Sequence, residues 1–592
     1  MAEPVEWQPD GTPRSARFDD IYRSASGGLE QARHVFLHGC GLPPAWADCT
    51  QWRILETGFG LGLNFLAAWR AWKDDPKRPR ILHFVSIEAF PVSPDDIFRS
   101  AKAHPELAPL AKELASKWWG LVPGFHRLAF EQGQVLLTLC VGDVHAMLRE
   151  QSFHADSIFL DGFSPDRNGA MWEVPTLKSL ARLCRPGTTI ATWTVAGDVR
   201  RDLAQCGFQV EKIEGLPPKR HSLRGIYDPS WDVKGLGGSR STQPSNCIVI
   251  GAGLAGAAVA ATLARRGWAV EVLDSASAPA SGASSLPAGL LAPHQSPDDN
   301  MLSRLSRAGV RTTMQELDML CAQGEAWQRT GAIEMRFDDH RPPPPLGDAL
   351  APWTRAAEGN AWLHDCAGWV NPSDLVRAWL QTPGITRRMN ARVSRVKREG
   401  DQWIVMGETE IARAPLVVIA AAYGSATLLG DSIELHPVRG QVSWSHEGEP
   451  GVDRAVNGNG HFVPGVPVEG RAAWLTGSTY ARGDNDCADR AQDHAANLER
   501  LRVLLPDVAQ RLAPLFESGK VHAWAGVRCA SSDRRPLVGQ LEPGLAISTA
   551  MGSRGLTFAM LCAQVLAARL HDEPLPIERR LAASLDAARQ RR

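Results

Sequence analysis

Three things are scarce in this chain of 592 residues, and each scarcity excludes something. Cysteine is present without pattern: eleven residues are scattered, with no C-x-x-C pair. That argues against a zinc site and against a disulfide framework, and it suits a reducing compartment. Net charge is absent, with 64 Lys+Arg against 65 Asp+Glu. There is thus no global basic field, and a nucleic-acid partner has to be held by local patches. Long apolar runs are missing too. The longest, around Leu416–Ala422, is far too short to cross a bilayer. Met1 to Asp10 is polar and acidic, without the basic-then-apolar order of a signal peptide. The expectation is a cytoplasmic protein with no membrane association, no metal and no obligate protein partner evident.

What is present is enough apolar residue, 44% against 22% charged, for packed globular structure. Single cores stop growing near roughly 250–300 residues, so two domains are expected. Residues 54–227 alternate strand and helix patterns, which predicts an α/β domain with a parallel sheet covered on both faces. Strands are expected at Arg53–Glu56, Ile81–Ile87, Leu136–Val141, Ser157–Leu160 and Thr188–Thr194. Two more, near Phe208–Ile213 and Leu223–Tyr227, follow with no room for a helix between them, as in a closing antiparallel hairpin. The stretch Asp228–Ser245 is rich in Gly, Ser and Pro and reads as a linker. A fresh strand, Cys247–Ile250, then opens a second nucleotide-binding unit. The expected domains are 1–240 and 246–592, with Pro342–Pro345 a surface loop inside the second.

Two glycine-rich turns differ in their grammar. In the first, Glu56-Thr57-Gly58-Phe59-Gly60-Leu61-Gly62, glycines at every second position let backbone pass close beneath a ligand. The preceding acid, Glu56, would repel a pyrophosphate but tolerates the cationic amino-acid end of S-adenosylmethionine. Glu88 ends the next strand, where it can accept hydrogen bonds from both ribose hydroxyls, and Asp143 follows the third. The plainer alternative is a tight turn with surface acids.

In the second turn, Gly251-Ala252-Gly253-Leu254-Ala255-Gly256, no acid precedes the glycines, so the helix start can hold a pyrophosphate. Asp274 ends the following strand at the distance expected for a ribose 2′-hydroxyl partner. This motif alone does not separate NAD from FAD. Later segments favour FAD. Small residues crowd Ser281–Ser285 and Pro287–Leu291, as against a flat ligand. Near the end of the chain a strand, Leu545–Ser548, runs into Gly552-Ser553-Arg554-Gly555-Leu556 and a helix. Such a helix start can stabilise negative charge on a reduced flavin. Returning to the cofactor this late is a habit of flavoproteins of the D-amino-acid oxidase group, which this half resembles. Their strand beneath FAD is similar to Leu416–Ala420, although they commonly have glycine where this chain has Ala422. In glycine- and sarcosine-oxidase relatives an arginine in the context of Gly526-Val527-Arg528-Cys529-Ala530 holds the substrate carboxylate. The resemblance thus implies that role for Arg528, the alternative being a surface ion pair.

The order of the two halves, with several short segments in fixed sequence, resembles a bacterial family of bifunctional enzymes of tRNA 5-methylaminomethyl-2-thiouridine biosynthesis. The segments are Gly11-Thr12-Pro13, Phe18–Tyr22, Gly28-Leu29-Glu30, Phe159–Pro165 with Asn168 and Met171-Trp172, Pro218-Lys219-Arg220, Pro437–Gln441 and Gly552–Leu556. The resemblance implies a class I methyltransferase with a Rossmann-like sheet, then a D-amino-acid-oxidase-like FAD domain with a mixed α+β substrate subdomain. It implies two steps on a wobble uridine of tRNA: oxidative removal of a carboxymethyl group, then methylation of the amine exposed. Asp161, ending the fourth strand, is the candidate to accept the amine proton. Its alternative is a turn cap, Asp-Gly being a common turn pair. Lys219 and Arg220 are the candidate tRNA contacts. The basic set Arg387, Arg388, Arg392, Arg395, Lys397 and Arg398 alternates along an expected strand and reads as solvated charge. His294, near the flavin segment, reads as structural. A rival enzyme reading keeps both cofactors but takes a small amino acid of the glycine or sarcosine type as substrate.

Overall fold

The computed structural model describes residues 2–23, 27–231, 242–337 and 345–590. They form two compact units. The first comprises the described residues within Met1–Thr242, Leu346–Ala349 and Ala568–Arg580; the second holds those within Gln243–Pro345, Leu350–Ala567 and Leu581–Arg592.

The first unit is built on an eight-stranded sheet. Its parallel centre runs in the spatial order Cys184–Thr192, Ala155–Phe159, Gln51–Glu56, Ile81–Glu88, Val135–Val141. All seven expected strands are present, and Phe208–Glu214 pairs antiparallel with His221–Tyr227 as the hairpin reading anticipates. The eighth strand, Gly124–Phe130, lies antiparallel to Val135–Val141 at one edge. It buries His126 and Arg127 among its apolar residues, so it lacks the unbroken apolar run that betrays its neighbours. Strand order reverses beside Gln51–Glu56, which opens a crevice at the carboxyl ends of the strands. A small three-stranded sheet, Val5–Trp7, Pro13–Ser15 and Asp20–Ile21, precedes the large one.

The second unit contains a six-stranded sheet ordered Ile385–Arg388, Ala269–Leu273, Asn246–Ile250, Leu416–Ile419, Leu545–Thr549, Leu537–Glu542. The last strand is antiparallel and the rest are parallel. The Ala-rich helix Leu254–Arg265 is buried almost all round, and its small side chains let it lie close to its neighbours. A larger sheet, almost wholly antiparallel, runs from Arg355–Ala357 to Ala481–Arg482, with the long pair Leu435–Ser445 and His522–Ser531 at its end. The basic set does not share one strand. Arg387 and Arg388 lie on Ile385–Arg388, whereas Arg395, Lys397 and Arg398 lie on Arg395–Glu399 in a separate three-stranded sheet. Most of the expected linker, residues 232–241, and most of the Pro342–Pro345 loop lie outside the described residues.

Candidate active sites

A cavity of ≈ 650 Å³ opens at the carboxyl edge of the first unit's sheet, lined among others by Gly58, Gly60, Glu88, Asp143 and Asp161. That volume suits a cofactor-sized ligand. Gly58 lies close to the opposite turn: a Cβ there would sit 3.1 Å from the Asp161 carbonyl, tighter than most side chains accept. Gly60 and Gly62 have φ of +52° and +77°, the left-handed region that favours glycine. Gly62 is set back from the cavity, at the start of helix Leu63–Asp74, where a Cβ would press on the Phe59 ring.

Glu56, Glu88 and Asp161 are built into the wall, whereas Asp143 is exposed at the cavity's rim. Glu56 is fully buried behind the cavity wall, held by the Ser86 hydroxyl at 2.6 Å and the Asn64 amide at 2.9 Å. Burial pushes its carboxyl well above the usual range. Glu88 reaches the cavity, and its two oxygens accept from the backbone N–H groups of Gly60 and Phe90, both at 2.9 Å. Asp143 caps helix Val144–Arg149 by accepting from Ala146 N–H at 2.9 Å. Asp161 accepts from Gly162 N–H at 2.9 Å and from Asn64 at 2.8 Å. It is therefore both a turn cap and a cavity group. Burial raises its carboxyl to about 6, against the pull of those two hydrogen bonds and of Lys219. Phe18 and Tyr22 close one side of the same cavity. Phe18 stacks on Phe163 at 4.7 Å, and Asp20 accepts from Ser164 N–H at 2.9 Å. Two segments 140 or so residues apart in sequence thus form one wall.

In the second unit a cavity of ≈ 410 Å³ runs from the start of helix Leu254–Arg265 to the start of helix Gly555–His571 and on to Arg528. Two helix N-termini facing one space favour a ligand with negative charge at two places. Of the first three glycines, Gly253 lines the cavity. A Cβ on Gly251 would meet the Ala420 carbonyl at 2.4 Å, and one on Gly256 would meet the Gly251 carbonyl at 1.8 Å. Those two pack backbone on backbone. Asp274 accepts from Ala252 N–H at 2.7 Å and Ala276 N–H at 2.8 Å, which fixes the turn. Gly552 and Gly555 line the far end, and His294 lines the wall beside them. Arg528 faces the cavity and donates to the Ser478 hydroxyl at 2.5 Å; among the described residues no carboxylate pairs with it.

Comparison with known proteins follows the same division. Residues 246–569 match the family described as FAD dependent oxidoreductase, and residues 105–228 that described as S-adenosyl-L-methionine-dependent methyltransferase. A tRNA 5-methylaminomethyl-2-thiouridine biosynthesis bifunctional protein MnmC from Polaromonas naphthalenivorans is 53% identical, over 99% of this chain and 98% of its own. Its namesake from Paracidovorax citrulli is 50% identical, over 100% and 99%. The chain belongs to this bifunctional family. It is an enzyme with a methyltransferase half that uses S-adenosylmethionine and an oxidoreductase half that uses FAD. Among solved structures, glycine oxidase from Geobacillus kaustophilus aligns with a TM-score of 0.46 at 22% identity, covering 55% of this chain and 94% of that one. Iminodiacetate oxidase from Chelativorans sp. BNC1 aligns at 0.44 and 22%, covering 56% and 96%.

For a member of the MnmC family, some motifs turn out to be structural. Arg439, in Pro437–Gln441, is fully buried; it holds the carbonyls of Asp486 and Ala488 and the side chains of Gln441 and Asp493. Lys219 and Arg220 are exposed on the turn before His221–Tyr227, and Lys219 lies over the Trp193 ring at 5.1 Å. Asn64, Glu334 and His461 are among the cavity side chains that the motifs did not point to. Asn64 is a polar residue in an otherwise apolar stretch, which is a usable signal. Glu334 and His461 sit singly on strands and carry none.

Proposed function

We propose that the enzyme modifies a wobble uridine of tRNA in two steps. The FAD half oxidises the glycyl C–N bond of a 5-carboxymethylaminomethyl group, on uridine or 2-thiouridine, to an imine, and water then hydrolyses the imine to a primary aminomethyl group and glyoxylate. The methyltransferase half then methylates that amine to 5-methylaminomethyl. The observation that carries the reading is chemical complementarity within one chain. One cavity presents a guanidinium that no carboxylate pairs with among the described residues, suited to a carboxymethyl group. The other presents a carboxylate, suited to an amine. The product of the first step is the acceptor of the second.

In the methyl site, positioning does much of the work, because transfer needs the amine lone pair aimed along the S–CH₃ axis. Asp161, held at both oxygens, orients the amine and takes its proton. Gly58 and Gly60 make room for S-adenosylmethionine, with Glu88 and Asp143 at the adenosine end and Glu56 as a buried support behind Asn64. In the oxidoreductase site, Gly253, Gly552 and Gly555 line the FAD cradle while Gly251, Gly256 and Asp274 shape its turn. Bound FAD supplies the two-electron oxidation, and Arg528 holds the carboxylate through both nitrogens of its fork. Lys219 and Arg220 meet the tRNA backbone, and the two activities divide near residue 240, within 228–245.

Nucleoside mass spectrometry of tRNA from a deletion strain tests this. The carboxymethylaminomethyl form should accumulate and the methylaminomethyl form vanish. Unchanged tRNA, with purified protein turning over sarcosine or glycine without RNA, would establish the small-metabolite alternative instead.

A further inference from the structure

Two arginines meet at the rim of the oxidoreductase cavity. Strand His522–Ser531 runs beside the turn that opens helix Gly555–His571: Ala530 and Met551 form an antiparallel bridge, and the Cys529 carbonyl accepts from Gly552 N–H at 2.8 Å. This sets two short turns side by side. Arg534 N–H closes one on the Ser531 carbonyl and Arg554 N–H closes the other on the Met551 carbonyl, both at 3.1 Å. Arg554 lines the cavity, and Arg534 is exposed.

The acids that could neutralise this pair are already occupied. Asp533, next to Arg534, accepts from Arg535 at 2.8 Å and from Arg589 at 2.9 Å. Glu334, the acid among the residues lining the cavity, accepts from Arg336 at 3.1 Å and meets His364 at 2.9 Å. Among the described residues, neither the Arg534 nor the Arg554 side chain has a hydrogen-bond or ion-pair partner. Burial, with the charge of Arg534 added, holds the Arg554 guanidinium below its ordinary value, so the two charges bear on one another. Arg534 also sits at φ +59°, a left-handed conformation that non-glycine residues seldom adopt. Strain and uncompensated like charge held in one place point to a ligand that offsets them.

That ligand is an anion, and its position narrows its kind. The substrate carboxylate belongs to Arg528 in the reading above, and the flavin cradle lies inside the cavity. An anion reached by a cavity-lining and an exposed guanidinium together lies at the rim, where the backbone of a large substrate passes. Guanidinium forks match the oxygens of a phosphodiester. We propose that Arg534 and Arg554 grip a backbone phosphodiester of tRNA beside the wobble nucleotide, so that the modified base enters with its side chain directed to Arg528. This rests on the tRNA reading given above. It gives the oxidoreductase half a tRNA contact of its own, one that a free N-substituted glycine, having no phosphate, cannot use.

The test uses full-length flavin-loaded enzyme and carboxymethylaminomethyl-uridine tRNA, and reads anaerobic flavin reduction at several salt concentrations. Arg534→Asn removes the charge while keeping a residue that tolerates the left-handed backbone. Its kcat/KM should fall at least about tenfold at low salt, the equivalent of one lost charged hydrogen bond, with kcat little changed. The slope of log kcat/KM on log salt should become shallower by about 0.7, the value for one phosphate contact on a single strand. Arg554→Gln should behave likewise, and Arg534→Lys should keep most of the slope. Flavin content in both neutral variants, and acetate affinity of Arg534→Asn read from the flavin absorbance, should match wild type. A wild-type salt slope in Arg534→Asn overturns the proposal. So does loss of acetate binding in that variant, which would place Arg534 in the carboxylate pocket. Loss of flavin from Arg554→Gln at an unchanged slope also overturns it, by making Arg554 a cofactor contact. If the wild-type flavin is reduced by sarcosine and not by the tRNA, the tRNA reading itself has failed, and the proposed ligand with it.

Discussion

One amide nitrogen of Asn64 donates to two carboxylates at once, Asp161 at 2.8 Å and Glu56 at 2.9 Å. With burial already raising Asp161 to about 6, this donor is one of the few groups that favours its ionised form. Asn64→Leu should therefore shift the rising limb of the methylation pH profile upward and lower the rate at neutral pH by about tenfold. Asp161→Asn should remove the limb altogether. Single-turnover methylation of aminomethyl-uridine tRNA across pH measures both. A limb that stays in place in Asn64→Leu would show that the amide does not control Asp161.

Glu88 offers a stability test with a definite sign. Burial pushes its carboxyl up to about 7, although Phe90 and Gly60 N–H groups pull the other way. A carboxyl raised on folding prefers to be protonated in the folded state. Its contribution is complete below the unfolded value, about pH 4, and is lost as pH rises through about 7. In ligand-free protein, Glu88→Gln should flatten the fall in thermal midpoint across that window. It should also weaken S-adenosylmethionine by on the order of 1–3 kcal/mol, since the remaining lone pairs of Glu88 are those available to the ribose. A variant with wild-type slope and wild-type affinity would reduce Glu88 to an anchor of its turn.

Much of this architecture was legible because parallel strands buried on both faces read as continuous apolar runs. Ile81–Glu88 and Val135–Val141 are of this kind. The glycine turns were legible because each must adopt a conformation, or accept an approach, that a Cβ forbids. What escaped follows from the same physics. Gly124–Phe130 carries buried His126 and Arg127, and the long antiparallel strands Leu435–Ser445 and His522–Ser531 do not alternate cleanly between buried and exposed residues. Sequence also could not tell which motif acids would face a ligand. Glu56, Glu88 and Asp274 all end strands, yet Glu56 is sealed behind the wall and Asp274 is occupied with turn N–H groups. Nor could it show that Asp20 and Ser164 meet, since that contact belongs to the folded crevice.

The segment 568–580 packs within the first unit, which makes the halves separable in sequence but not cleanly in packing. Asp572 lies 3.5 Å from Arg53 and 3.0 Å from His154, Glu573 lies 3.6 Å from His83, and the Pro574 carbonyl accepts from Arg127 at 2.7 Å. Arg53, His83 and Arg127 are buried. A fragment ending at residue 242 loses these partners, and breaking even one buried ion pair costs on the order of 3–5 kcal/mol. That fragment should melt well below the full chain and regain stability when residues 568–580 are restored, for instance as a tethered segment. Residues 246–592 alone should still be yellow. A 1–242 fragment as stable as the methyltransferase half in the intact chain would refute the first expectation, and a colourless 246–592 the second.

Arg528 separates the two steps. The carboxymethyl substrate carries a carboxylate and the aminomethyl product does not, so a residue that grips the carboxylate matters to oxidation and is silent in methylation. The side chain has the isolation such a role needs: it donates to Ser478 at 2.5 Å, and no carboxylate among the described residues neutralises it. Arg528→Lys keeps the charge but loses the bidentate fork, and should be impaired despite its conservative look. Arg528→Ala should cost on the order of a few kcal/mol in oxidation efficiency, as for a charge-assisted pair lost from a desolvated pocket. In cells, tRNA from the Ala variant should accumulate the carboxymethylaminomethyl nucleoside, with flavin content measured alongside to exclude unfolding. Accumulation of the bare aminomethyl form would assign Arg528 to methylation instead, and normal modification would leave it no role in either step.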